Sequence, residues 1–173
     1  MLKQEVADKL TEVLSSMYVK RIVEIGTGWA ESAEFFSKLK PEAAIYTIDA
    51  FGLYGDGRIY NHLDHFQVLT INKKIQTLKN VIQILGDSST IPWELPIDVL
   101  FLDGDHTEEG CTADCVRYLP FVVKGGIICF DDYTQENNPN NGVKKVVTDL
   151  LNLGYGFEII YEGYYCAILK KLS

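Results

Sequence analysis

Ile97-Asp98-Val99-Leu100-Phe101-Leu102-Asp103-Gly104-Asp105-His106, followed after a helix-length stretch by Gly126-Ile127-Ile128-Cys129-Phe130-Asp131-Asp132-Tyr133, decides how this chain is read. Both apolar runs end abruptly in carboxylates. Parallel strands buried on both faces have this continuous hydrophobic character, and the crossover between them needs a dozen or more residues. Ligands of open α/β sheets bind beyond the carboxyl ends of the strands. Asp103, Asp131 and Asp132 are therefore expected at one rim, facing one pocket. Three acids there call for a cation, a mobile proton or a polyhydroxyl ligand.

Outward from this stretch, strand and helix patterns alternate. Residues 20–25 read as a first strand running into Gly26-Thr27-Gly28 and a helix that ends at Leu39. Residues 44–49 form a second strand ending in Asp49, and residues 81–85 a third ending in Gly86-Asp87-Ser88. The fourth covers residues 98–102. A helix over residues 108–119 turns Cys111, Cys115, Val116 and Leu119 inward, and Pro120 with Gly125-Gly126 brackets the turn into the fifth strand. Residues 143–151 make another helix, and residues 157–161 and 164–170 two strands joined by a tight turn. Leu2, Val6, Leu10, Val13, Leu14 and Met17 form the stripe of an opening helix, packed on the sheet or against a second copy in a homo-oligomer. The Gly- and aromatic-rich residues 51–60 and the Asn-rich residues 133–142 read as loops over the rim, with Trp29, Tyr54, Tyr60 and Tyr133 offering an apolar wall and Arg58 in the first loop. His62 and His65 read as surface residues. Right-handed crossovers wind such an order into a doubly wound, Rossmann-like α/β sheet of seven strands, five parallel plus a C-terminal antiparallel hairpin. One domain is expected over residues 1–173, with residues 1–19 as the N-terminal helix and 20–173 as the core.

The chain of 173 residues carries a net charge of −8, which argues against a nucleic-acid backbone or an anionic membrane as partner. The four cysteines lack the spacing of a disulfide framework and no signal peptide precedes them, so a cytoplasmic location is expected. Cys111 and Cys115 share a helix face, but no second Cys or His pair stands by to complete a zinc site, and they read as core thiols.

Glu24-Ile25-Gly26-Thr27-Gly28 follows a strand and opens a helix, where backbone can approach a ligand closely. The third glycine of a dinucleotide fingerprint is missing, since Ala30 and Glu31 occupy its place. Asp49, at the end of the next strand, is placed to accept ribose hydroxyls. Together these features favour an adenosyl ligand, which NAD and S-adenosylmethionine share. Asp87 and Ser88 border the adenine side of the same rim. Asp103, Asp131 and Asp132 suit a hard divalent cation, Mg²⁺ first and Mn²⁺ or Ca²⁺ as alternatives, which would acidify a substrate hydroxyl. His106 lies where it can take the released proton.

These motifs, in order and spacing, resemble class I adenosylmethionine-dependent O-methyltransferases over residues 22–132. Within that class they resemble the macrocin-type sugar O-methyltransferases, relatives of the metal-dependent catechol and caffeoyl-CoA enzymes. The resemblance implies that Glu24, Gly26, Thr27 and Gly28 line the methionine part of the donor and that Ser32 meets its carboxylate. It also implies that Asp49 holds the ribose and that Asp87 and Ser88 border the adenine. By the same resemblance Asp103, shared with the donor site, binds a divalent cation together with Asp131 and Asp132. His106 stands where the family often has an assisting lysine, and Asp132 where the catechol enzymes have Asn. The activity so implied is transfer of a methyl group to a hydroxyl of a sugar or other small molecule. An NAD-dependent oxidoreductase and a non-catalytic adenosyl-binding protein are the alternatives.

Overall fold

A computed structural model of the chain describes residues 2–51, 65–134 and 140–173. The α-helices and strands in chain order are α1 (Gln4–Leu14), β1 (Arg21–Ile25), α2 (Glu31–Leu39), β2 (Ala44–Asp49), α3 (His65–Gln76), β3 (Val81–Leu85), β4 (Ile97–Leu102), α4 (Glu108–Tyr118), β5 (Val122–Asp131), α5 (Val143–Asn152), β6 (Phe157–Glu162) and β7 (Cys166–Lys171). The strands form one seven-stranded sheet in the order β3-β2-β1-β4-β5-β7-β6. β1 to β5 pair in parallel, while β7 runs antiparallel between β5 and β6.

Alternation along the strands explains why helices cover both faces. Val99 and Phe101 of β4 face α1 and α2, packing with Val6, Leu10, Leu14 and Phe36. Leu100 and Leu102 face α4 and α5, packing with Cys111, Cys115, Tyr118, Val143 and Val147. Val99, Phe101, Leu100 and Leu102 make β4 apolar on both sides, as read from the sequence, while Glu24 of β1 and Thr47 of β2 are buried polar residues in the neighbouring strands. The stripe of α1 lies on the sheet itself, with Val6, Leu10 and Leu14 at 0% exposure, so those three residues are not offered to a second copy. The cysteines expected in the core are there, as free buried thiols.

Two expectations need correction. Gly125-Gly126 does not precede the fifth strand but lies inside β5. The β4–β5 register steps from Ile97↔Val122 to Val99↔Ile127, so β5 absorbs extra residues in a bulge and the glycines sit within it. Val116 does not face inward and is 73% exposed. The buried positions of α4 are Cys111, Asp114, Cys115 and Tyr118, a 3-4-7 spacing in which a polar residue takes a place assigned to an apolar one.

The sheet order reverses at β1, whose neighbours are β2 and β4. The crevice at this switch point opens beyond the carboxyl ends of β1 and β4, where Gly26 and Asp103 stand. If α1 is an intramolecular layer, Leu10→Ala should lower the free energy of unfolding in urea by about 2–5 kcal/mol without changing the oligomeric state. An unchanged stability with a changed oligomeric state would instead place the stripe in an interface between copies.

Candidate active site

The turn after β1 is set by a missing side chain. Gly26 adopts φ +92°, and a Cβ built there would lie 2.0 Å from the carbonyl oxygen of Asp103. The first glycine turn and the end of β4 are thus in backbone contact. Asp49, at the end of β2, ties in the next loop: its Oδ2 accepts from the Gly28 amide at 3.1 Å and its Oδ1 from the Phe51 amide at 2.7 Å. Below the turn, Thr27 and Thr47 hydroxyls hydrogen-bond at 2.6 Å, and Ser32 Oγ donates to Glu24 Oε1.

These turns wall a cleft of about 650 Å³. Of the residues expected around the donor, Gly26, Thr27, Gly28, Ser32, Asp49, Asp87, Ser88 and Asp103 all line it. Glu24 does not. It is fully buried beneath Ser32, and its Oε2 has no hydrogen-bond partner. Burial pushes the Glu24 carboxyl up to about 8, with Asp103 and Asp49 adding to the shift and Ser32 and Thr47 opposing it. Trp29 lines the cleft as expected. Tyr133 does not, because its ring is buried in the core and its hydroxyl donates to Glu162 Oε1 at 2.9 Å. Tyr54, Tyr60, Arg58, His62 and the side chain of His65 lie outside the described residues, as does most of the 51–60 loop.

Sequence reasoning missed a second tier of the wall. Asp105, Thr107, Glu109 and Asp114 also line the cleft, so that the described lining residues include seven acids and no Lys, Arg or His. Such a wall favours a cationic ligand and disfavours a pyrophosphate. The readable signal for Asp114 was a carboxylate on the otherwise apolar stripe of α4. Asp105 is locked by local geometry: its Oδ1 accepts from the Thr107 amide at 2.9 Å, and Gly110 leaves no room for a Cβ, which would lie 2.4 Å from the Asp105 carboxyl carbon.

Beside the cleft, β4 and β5 bring their carboxylates together with His106. His106 Nε2 is 3.4 Å from Asp103 Oδ1, and its Nδ1 is 3.4 Å from Asp132 Oδ2. The first is an ion-pair distance without hydrogen-bond alignment, so Nε2 is buried with no hydrogen-bond partner. Burial disfavours the imidazolium, but Asp103, Asp132 and Asp131 outweigh it and raise the His106 pKa above its ordinary value. Asp131 is 4% exposed with Oδ1 unpartnered, and burial, then Asp103 and Asp132, hold its carboxyl well above the usual range. Gly142 N donates to the His106 carbonyl in the loop after β4 at 2.8 Å, and Asn141 Nδ2 reaches back to the Asp132 carbonyl just after β5 at 2.8 Å.

One ligand atom from each of Asp103, His106 and Asp132 lies within 4.8 Å of the others. The group has His106 where the sequence reading placed Asp131, and the carboxylates of Asp103 and Asp132 suit a hard divalent cation. Asp131 adds an orphaned, buried oxygen facing the same carboxylates, and oxygen donors that repel one another are relieved by a shared cation.

The comparisons with known proteins agree with the fold. Residues 23–133 match the family model of a methyltransferase domain, and the chain belongs to that family. Membership of a methyltransferase family counts against the oxidoreductase alternative. An uncharacterized protein of Acanthamoeba polyphaga mimivirus is 40% identical over 70 residues, a match spanning 37% of this chain and 32% of that protein. Among solved structures, one assigned as an O-methyltransferase from Klebsiella pneumoniae superposes with a TM-score of 0.73 at 15% identity, covering 100% of this chain and 82% of that one. One assigned as a methyltransferase from Streptococcus mutans, in complex with SAH, gives 0.70 at 16% identity and covers 99% and 100%. The MycE methyltransferase of the mycinamycin biosynthetic pathway, in complex with Mg, SAH and mycinamycin VI, gives 0.60 at 17% identity, and this chain covers 49% of it. No helix among the described residues is long and apolar enough to cross a membrane.

The buried acid Glu24 makes stability depend on pH with a definite sign. Its folded pKa is about 8 against an ordinary 4.5, so between these values the folded chain keeps a proton that the unfolded chain releases. Its contribution is full below the lower value and is lost as pH rises toward the upper one, by up to about 1.4 kcal/mol per pH unit. Urea unfolding should therefore show stability falling through this window, and Glu24→Gln should make the fall shallower. A variant with the wild-type slope would show that Glu24 is ionised in the folded protein.

Proposed function

We propose that this methyltransferase acts on oxygen, moving the methyl group of S-adenosylmethionine to a hydroxyl of a sugar or other small molecule with the help of a divalent cation. The observation that carries the reading is the position of His106 between Asp103 and Asp132, on a wall that Asp103 shares with the cleft. A base and a set of hard oxygen donors thus stand next to the donor pocket. Mg complexed in MycE and the O-methyltransferase assignment of the Klebsiella structure support the reading. The net charge of −8 supports a small-molecule acceptor over nucleic acid or a membrane surface.

In this reading Gly26, Thr27, Gly28 and Ser32 follow the methionine part of the donor, with Glu24 supporting Ser32 from below. Asp49 accepts the ribose hydroxyls, and Asp87 and Ser88 border the adenine. The acid-lined cleft suits a sulfonium, whose positive charge is lost when the methyl leaves. Asp103, Asp131 and Asp132 would hold the cation, with Mg²⁺ the first choice and Mn²⁺ or Ca²⁺ as alternatives. When bound there, the cation lowers the pKa of an acceptor hydroxyl and orients it. His106 takes the hydroxyl proton, and the carboxylates on either side of its ring hold it in orientation and stabilise the imidazolium. The acceptor oxygen forms its bond to the methyl carbon as the carbon–sulfur bond breaks, and in-line positioning of the two supplies much of the rate.

Transfer of labelled methyl groups to a panel of sugars and small polyols tests this. Chelation should abolish most of the activity and Mg²⁺ should restore it. Asp131→Ala should behave like chelation. His106→Ala should lower kcat by roughly 10²–10⁴-fold. Because His106 acts unprotonated, the wild-type rate should rise with pH as the imidazolium loses its proton, and His106→Ala should lose that rise. Full activity after chelation would remove the cation from the reaction, and full activity of His106→Ala would remove the base.

A further inference from the structure

Three side chains of α4 converge on the short turn after β3. Ser88 Oγ donates to Asp114 Oδ1 at 2.6 Å, and the Tyr118 hydroxyl donates to the Ser88 carbonyl at 2.9 Å. Arg117 donates to the Ser89 carbonyl from Nε at 3.1 Å and from Nη2 at 2.8 Å. Positions 114, 117 and 118 are three and four apart, so one helical face presents all of them. Within the turn, the amides of Thr90 and Ile91 both go to the Asp87 carbonyl, which leaves the carbonyls of Ser88 and Ser89 to α4. Ser88 and Ser89 line the cleft, and Asp114 is the member of the clamp that lines it too, at 4% exposure.

We propose that Asp114 is a positioning residue for the methyl donor: through Ser88 it fixes the part of the cleft wall against which the adenine is seated, while Tyr118 and Arg117 clamp the backbone of the same turn. The inference rests on the reading of the cleft as the donor site with Ser88 at its adenine end.

The clamp has a consequence that simple packing would lack. The groups facing Asp114 are Asp87 from the turn after β3, Asp105 from the loop after β4, and Cys115 and Tyr118 from α4. Burial pushes the Asp114 carboxyl up to about 6, with Asp87 and Asp105 adding to the shift and the Ser88 hydroxyl opposing it. The ionised carboxylate is the better acceptor for Ser88. Protonation weakens that bond, so donor affinity should fall as pH drops through this value.

Calorimetric titration with S-adenosylhomocysteine, which carries the same adenosyl group and does not react, reads this without acceptor or cation. Wild-type protein should bind more weakly at about pH 5 than at about pH 7.5, with the step near the Asp114 pKa. Asp114→Asn should bind about tenfold more weakly at the higher pH and lose the step. Ser88→Ala should lose about as much, and the double variant little more, because both remove one interaction. Wild-type affinity and pH profile in Asp114→Asn, or losses that add in full, would overturn the proposal while leaving the donor site in place. Should Asp114→Asn fail to fold, Ser88→Ala decides alone: it should lose both affinity and step, and retention of the step would overturn the proposal. No binding to folded wild-type protein would remove the donor-site reading and this inference with it.

Discussion

The site depends on one close approach of backbone to backbone. Gly26 stands so near the Asp103 carbonyl that any side chain at this position would occupy the same space. The sheet continues through the contact, with Gly26 N donating to Ile48 O at 2.8 Å and Asp103 N to Ile25 O at 2.9 Å. The glycine turn of β1 and the first acid of β4 are therefore held by the ladder itself, not by flexible side chains. The cleft and the carboxylate cluster beside it share Asp103 as their common wall.

A second constraint is electrostatic. Glu24, Asp114 and Asp131 are acids buried where water cannot solvate a charge, and each is pushed toward its neutral form. Burial of such groups is costly unless something in the folded protein offsets it. Ser32 and Ser88 do part of this for Glu24 and Asp114 through hydrogen bonds. For Asp131, no such donor reaches Oδ1 among the described residues, and its neighbours there are Asp103, Asp132 and the imidazole of His106. Under the proposed function, a cation held by these carboxylates would offset that cost.

The fold was legible because local signals agreed with one another. Continuous apolar runs between helical patterns marked the parallel strands, and the glycine after residue 162 marked the closing hairpin. The rim was legible for the same reason: a carboxylate at the end of a strand lies at the ligand edge of the sheet wherever the strand falls in the order. What depended on three-dimensional register was not legible. Gly125-Gly126 signals a turn locally, yet β-bulge pairing with β4 keeps it inside β5. Val116 looked like an inward residue because it is apolar, but the helix face is set by contacts at Cys111, Cys115 and Tyr118, and those leave the next position outside. Asp114 and Asp105 lie on segments whose chemistry appears only when α4 and the turn after β3 meet. Glu24 belonged to the right motif, but the alternation of β1 turns it under the floor of the cleft.

The most direct measurement is the effect of bound Mn²⁺ on the isotope-labelled methyl resonance of S-adenosylmethionine held by the protein without acceptor. A cation held by Asp103, Asp131 and Asp132 beside the cleft predicts strong broadening of that resonance, reversed by chelator and absent in Asp131→Ala. An equally sharp methyl resonance with Mn²⁺ bound would place cation and donor in separate regions and contradict the shared site.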